Sequence, residues 1–255
     1  MGAYAAAVAA DNPSNWWRLA DPGGIIAQDV GSAIPHAPLF VAAPGSAPYL
    51  GPSSDGAATA RAGTLPNLYN LTNPIPLLNL WTMEVWFWNF RQDVQQTLIT
   101  LEDDPAGQRC EIRQEASGHL LGFVAGQTSA DWAGPVGAGA WHLYALTYDH
   151  VTLRLYVDGV QKATSAFVVS TTGSVSPRIG EAQGAGTQAT GFFADAAYYN
   201  GTLSAVQLLA HYAAADQVAS SPLYLGGGTY DVTLGASAGT AGDLDIIRRS
   251  VRKTY

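Results

Sequence analysis

The chain has 255 residues, of which 47% are apolar and only 13% charged, and its formal net charge is −8. That length suits one large domain or two small ones; the acidic balance argues against nucleic acid as a partner, and no run approaches the ~20 apolar residues of a membrane span. The single cysteine, Cys110, rules out an intrachain disulfide framework and fits a small apolar position inside a strand.

Met1–Ala10 is Ala-rich but lacks the basic n-region and apolar h-region of a signal peptide, so residues 1–12 read as a plain N-terminal segment. Asp11, Asn12, Pro13 and Ser14 form a turn into an opening strand, Trp16–Leu19. Residues 23–54 are dense in Gly, Pro, Ser and Ala; Pro35, Pro38, Pro44, Pro48 and Pro52 each lack a ladder donor and exclude a central strand there. Asp55-Gly56 turns into a short strand, Ala57–Ala62, and Leu65–Leu80, with Pro66, Pro74 and Pro76, reads as mostly loop. Trp81–Phe90 is a strong strand. Met83, Val85 and Phe87 point one way and Glu84, Trp86 and Trp88 the other, so the strand is either central and covered on both faces or carries an aromatic platform. Gln96–Leu101 follows, then the acidic turn Glu102-Asp103-Asp104-Pro105. Arg109–Glu115 and His119–Ala125 pair as a hairpin around Ser117-Gly118, and Thr128–Ala140 is a Gly-rich loop carrying Trp132.

The stretch Trp141–Val160 (WHLYALTYDHVTLRLYVDGV) predicts the central hairpin, with strands Trp141–Tyr148 and Thr152–Val157 joined at Asp149–His150. Asp158-Gly159 then folds the chain back into Val160–Ala163. Phe167–Val169 and Pro177–Ile179 read as short strands, Gly180–Gly191 as a flexible loop, and Phe192–Tyr199 as a further strand closed by Asn200-Gly201. Ser204 and Gln207 have the spacing of a capping box, opening a helix to about Ala214 with Leu208, Leu209 and Tyr212 inward. Beyond it Ser221-Pro222 breaks the chain, Gly226-Gly227-Gly228 hinges it and Thr229–Leu234 fits one more strand. Residues 243–255 carry +2 while the remainder carries −10, an acidic body with a basic end.

Four stretches in this order and spacing, Trp16-Trp17-Arg18-Leu19, Trp81–Trp88 (WTMEVWFW), the central hairpin and Gly191–Leu203 (GFFADAAYYNGTL), resemble the laminin-G-like branch of the concanavalin A-like jelly rolls over about residues 13–215. The resemblance implies an all-β, two-sheet antiparallel sandwich over residues 13–222, with one short C-terminal helix and an extended arm over 223–255. It implies less about function, because that fold hosts lectins, adhesion modules, glycanases and virion parts.

Glycanases of this fold draw an acid and a nucleophile or base from one strand. Glu84 has no acidic partner at 86 or 88, so no enzyme is expected. His36, His119, His142, His150 and His211 lie in separate segments and read as strand or surface histidines. A calcium ion needs six to eight oxygens. Glu102, Asp103 and Asp104 are the candidate ligands, joined by Asp131 and Asp149 from other loops; Asp195 matches an aspartate of the family's penultimate strand, where it is structural. A pyranose stacks on an aromatic plate with polar neighbours, for which Trp132, Trp88 and Tyr144 are the candidates, with Trp86 assigned to the core. The expectation is a non-enzymatic structural and glycan-recognition component of a phage virion (a minor tail, head-fibre or decoration protein). It meets other virion subunits through Leu244, Ile246, Ile247, Arg248, Arg249, Arg252 and Lys253 and exposes loops to host-surface glycan. The alternatives are an adhesion module of a bacterial surface protein and a glycoside hydrolase.

Overall fold

The computed structural model describes residues 3–18, 38–40, 60–62, 68–71, 74–102, 109–124, 126–127, 129–134, 138–180, 182 and 187–215. In chain order these hold α1 (Ala3–Ala10), β1 (Asn15–Trp17), β2 (Pro38–Phe40), β3 (Ala60–Ala62), β4 (Leu68–Leu71), β5 (Ile75–Leu77), β6 (Leu80–Asn89), β7 (Gln96–Glu102), β8 (Arg109–Gln114), β9 (Leu120–Val124), β10 (Ala130–Trp132), β11 (Trp141–Asp149), β12 (Thr152–Val157), β13 (Val160–Ala166), β14 (Gly173–Ile179), β15 (Gly191–Tyr199) and α2 (Ala205–Ala214). One sheet runs β1-β15-β6-β11-β12-β13, with β3 also on β15; the other runs β10-β9-β8-β7-β14-β4-β2, with β5 also on β14. The fold is the antiparallel two-sheet sandwich that the resemblance implied.

The alternation along β6 decides how the layers stack. Trp81, Met83, Val85 and Phe87 enter the core between the sheets. There they join Tyr144, Leu146 and Tyr148 of β11, Leu153 and Leu155 of β12, and Leu98, Leu101, Cys110 and Ile112 of the second sheet. Trp86, on the other face, is buried with Trp16, Leu143, Ala145, Tyr156 and Tyr199 under Tyr4, Ala5 and Val8 of α1 and Leu208 of α2. β6 is therefore central and covered on both sides, and each large apolar side chain so enclosed contributes on the order of 1.5–3 kcal/mol. The central hairpin forms as its sequence requires, β11 pairing with β12. At the next turn, from β12 into β13, Asp158 and Gly159 both have positive φ (55° and 72°), the pair of left-handed residues a type I′ turn needs.

Several elements differ from the sequence reading. The N-terminal segment holds a helix over residues 3–10: α1 packs onto the sandwich, and the chain turns at Asn12, whose φ of 52° is the left-handed conformation that asparagine tolerates at a helix end. Leu65–Leu80 contributes β4 and β5 rather than mostly loop. Pro76 is accommodated because β5 is an edge strand that alternates buried Ile75, exposed Pro76 and buried Leu77; Pro38 likewise opens the edge strand β2. Pro177 lies inside β14 at a notch, where β5 takes Gly173–Val175 and β4 takes Arg178–Ile179, so neither short strand pairs with it. Residues 167–169 form no strand. The Tyr148 hydroxyl holds them instead, accepting from the Val169 N–H at 3.0 Å and donating toward the carbonyls of His150, Phe167 and Val169 at 3.0, 3.3 and 3.1 Å.

Asp195 is structural, as the resemblance implied. It sits at φ 42° in a β-bulge between Ala194 and Ala197, and its carboxylate accepts from Arg18 Nε at 2.9 Å and Trp16 Nε1 at 3.3 Å, tying β1 to β15.

Candidate functional site

Three polar arrangements stand out, and only one of them opens to solvent. At one end of the sandwich the β6–β7 loop, the β8–β9 turn and the segment after β10 enclose an open cleft of about 390 Å³, lined by Gln92, Asp93, Ala116, Ser117, Gly118 and Ala133. Asp93 pairs with Arg91 at 2.9 Å, and that hydrogen bond lowers the aspartate's pKa. Next to the lining residue Gly118, His119 pairs with Asp131 at 3.0 Å, both side chains exposed.

Trp132 precedes Ala133 on β10, an edge strand rather than the loop its Gly-rich surroundings suggested. It is half-buried, one side of it packed against the inter-sheet core. Gly134 lies so close to the indole that a Cβ there would run into the ring, and the Lys162 ammonium sits 5.1 Å from the ring centroid. The other two candidate plates are not on the surface. Trp88 is 5% exposed and meets Trp141 edge-on at 5.9 Å. Tyr144 lies in the inter-sheet core, 6.4 Å from Phe87, because it shares the inward face of β11 with Leu146 and Tyr148. Trp86 is core, stacked on Tyr212 at 5.8 Å.

The second arrangement crosses the outward face of the second sheet. Arg178, Thr100, Glu111 and Phe123 are successive register partners on β14, β7, β8 and β9. Glu111 accepts from Thr97 at 2.6 Å, and Thr97 bonds Thr187 at 2.8 Å, so the segment carrying Thr187 lies over this strip. Glu102 is the one acidic-turn residue among those described. Its carboxylate is buried against Arg178 Nε at 3.0 Å, an ion pair with a guanidinium where the sequence reading had placed a calcium ligand. Asp103 and Asp104 lie outside the described residues, as do Leu244, Ile246, Ile247, Arg248, Arg249, Arg252 and Lys253. Asp149 is taken by Arg154 at 2.6 Å. Among the described residues no group of three His, Cys, Asp or Glu side chains is placed to hold a metal ion.

The third arrangement was not anticipated. His211 lies on the buried side of α2, with Nδ1 at 3.1 and 3.2 Å from the Glu84 oxygens and Nε2 at 3.0 Å from Asp11 Oδ2. Tyr199 donates to Glu84 at 2.7 Å. Burial works to lower the His211 pKa, but Glu84 and then Asp11 outweigh it, leaving the imidazole easier to protonate than usual. The capping box, which forms as predicted, fixes the helix phase so that Leu208 and His211 face inward while Leu209 is 48% exposed. The hydrophobic stripe pointed to Leu209 as an inward position, and a histidine does not register in such a stripe.

The family described as the concanavalin A-like lectin/glucanases superfamily matches residues 61–208. No curated protein matches the chain. Among solved structures, the CBM40 module of the Ruminococcus gnavus IT-sialidase bound to α2,3-sialyllactose is 18% identical with a TM-score of 0.44, over 52% of this chain and 82% of that one. Domain 4 of the Geobacillus stearothermophilus GH43 arabinanase AbnA, in complex with arabinotriose, is 17% identical with a TM-score of 0.49, over 76% and 84%. The binding domain of botulinum neurotoxin serotype D is 11% identical with a TM-score of 0.55, over 81% of this chain and 52% of that one. At such identities the likeness is one of fold.

Proposed function

The chain belongs to the concanavalin A-like lectin/glucanase superfamily, and from that membership we propose that it is a non-enzymatic glycan-recognition module whose ligand rests on Trp132. The observation that carries this reading is the half-buried indole beside an open cleft whose Gln92, Asp93 and Ser117 side chains offer the donors and acceptors that sugar hydroxyls need. Lys162, a long flexible cation over the ring, leaves when the sugar stacks and then reaches its hydroxyls. Hydrolysis would require an acid and a second carboxylate across one glycosidic bond. Glu84 is held by His211 and Tyr199, Glu102 by Arg178 and Glu111 by Thr97, so these three are spent on structure.

A glycan array with and without calcium, followed by titration of Trp132→Ala, tests the proposal. Binding that falls at least about tenfold in the variant, the scale of a lost stacking contact with its polar neighbours, supports it. An array empty in both conditions, or unchanged affinity of a folded W132A protein, overturns it. The same proposal gives assembly to residues 223–255, where Leu244, Ile246 and Ile247 run beside Arg248, Arg249, Arg252 and Lys253. In the setting the sequence resembles, a phage virion, this segment would join the module to other subunits. Removing the segment and measuring oligomer size by light scattering tests the assembly role, and an unchanged size rejects it.

A further inference from the structure

The Glu84–His211–Asp11 cluster joins three elements distant in sequence: β6, α2 and the residue that ends α1. Both ring nitrogens of His211 face carboxylates, Nδ1 toward Glu84 and Nε2 toward Asp11. Carboxylates only accept, and a neutral imidazole carries a single N–H; two simultaneous bonds require the imidazolium. We propose that His211 is a pH-sensitive clasp holding the N-terminal helix on the body, and that α1 is a strap which loosens when the imidazolium loses a proton.

Little else can hold α1. Eight residues are too few for a stable isolated helix, and its anchors are the buried Tyr4, Ala5 and Val8 together with Asp11. The aspartate uses both oxygens, one on His211 Nε2 and the other accepting from Gln207 Nε2 at 2.8 Å. The groups facing His211 are Glu84 from β6, Asp11 and Tyr4 from the α1 side and Tyr199 from β15; the Tyr4 and Tyr199 rings lie 6.4 and 6.2 Å away. Both phenols have strongly raised pKa values through burial and the neighbouring carboxylates, so they stay neutral and the imidazolium is the cation between two anions. Asp195, the next carboxylate, is paired with Arg18.

The sign follows from the direction of the histidine shift. The folded-state pKa lies above the ordinary 6.5, so the contribution is complete below pH 6.5 and is lost as pH rises through the folded value. Once neutral, His211 can donate to one carboxylate only, and the other loses its cationic partner and keeps a neutral donor alone, the Tyr199 hydroxyl for Glu84 or the Gln207 amide for Asp11.

The test is hydrogen exchange by mass spectrometry on the full chain from pH 5.5 to 9.5, corrected for intrinsic rates, with the His211 ring resonance followed by NMR. Protection of the α1 peptide should fall about tenfold, the scale of one charge-assisted hydrogen bond, in step with that resonance, while β6 and β11 peptides keep theirs. His211→Gln should show the low α1 protection at every pH. Because that variant alters a buried site, Asp11→Asn is the companion; it leaves Glu84–His211 intact and should weaken α1 selectively below pH 6.5. Flat α1 protection while the ring titrates, a ring already neutral at pH 6, or full α1 protection in a folded Asp11→Asn protein overturns the proposal.

Discussion

Replacing Tyr148 by Phe should show how much the segment after β13 depends on one hydroxyl. The ring stays, with its stack on Phe167 at 5.2 Å and 21°, so almost no apolar burial changes. What goes is the acceptor for the Val169 N–H at 3.0 Å and the one proton shared among the carbonyls of His150, Phe167 and Val169. One O–H satisfies one carbonyl at a time, so two hydrogen bonds are lost. At about 0.5–1.5 kcal/mol each, and somewhat more for groups left buried without a partner, the cost is roughly 1–3 kcal/mol. For a chain of this size that lowers the melting temperature by roughly 3–10 °C. Equilibrium denaturation of wild type and Y148F gives the difference, and hydrogen exchange should locate it in residues 167–171. A change below about 0.5 kcal/mol with normal protection there would refute the assignment of the hydroxyl as the fastener.

Gly159 and Gly118 make a matched pair, both at positive φ (72° and 85°). A Cβ at Gly159 runs into the α2 backbone at Leu209, whereas Gly118 has nothing within 4 Å; Gly118→Ala should therefore cost only about 1 kcal/mol and Gly159→Ala about 2 kcal/mol or more, read from denaturation midpoints. The Cys110 thiol is buried in the inter-sheet core, and burial pushes its pKa well up. It should resist alkylation at pH 8 until the protein unfolds, and rapid labelling of the native chain would place it elsewhere.

The strands that build the core were legible because their chemistry is local. Period-two alternation from Trp81 and from Trp141 predicted β6 and β11 within a residue, and Asp158-Gly159 and Ser204…Gln207 carry their turn and cap in adjacent side chains. What escaped depends on distance. His211 meets a glutamate 127 positions away and an aspartate 200 positions away, so no local pattern announces the cluster. α1 is almost all Ala and apolar on every side, so it shows no period to read. Trp132 sits in a strand of three residues among glycines, where turn signals dominate. Tyr144 and Trp88 were read as surface plates because a strand's two faces are equivalent until the layers covering them are known; helices cover one face of β6 and the second sheet covers the other. Residues 167–169 have the composition of a strand, but the Val169 N–H and the Phe167 and Val169 carbonyls go to the Tyr148 hydroxyl, while the Phe167 N–H bonds the Val151 carbonyl.

The helical layer also gives the molecule a front and a back. α1 and α2 lie together on the outward side of the first sheet, where Tyr4, Ala5, Val8 and Leu208 close over Trp86. That face is already occupied by the chain's own helices, so a ligand resting on Trp132 meets the molecule elsewhere, at the edge strand β10 of the second sheet.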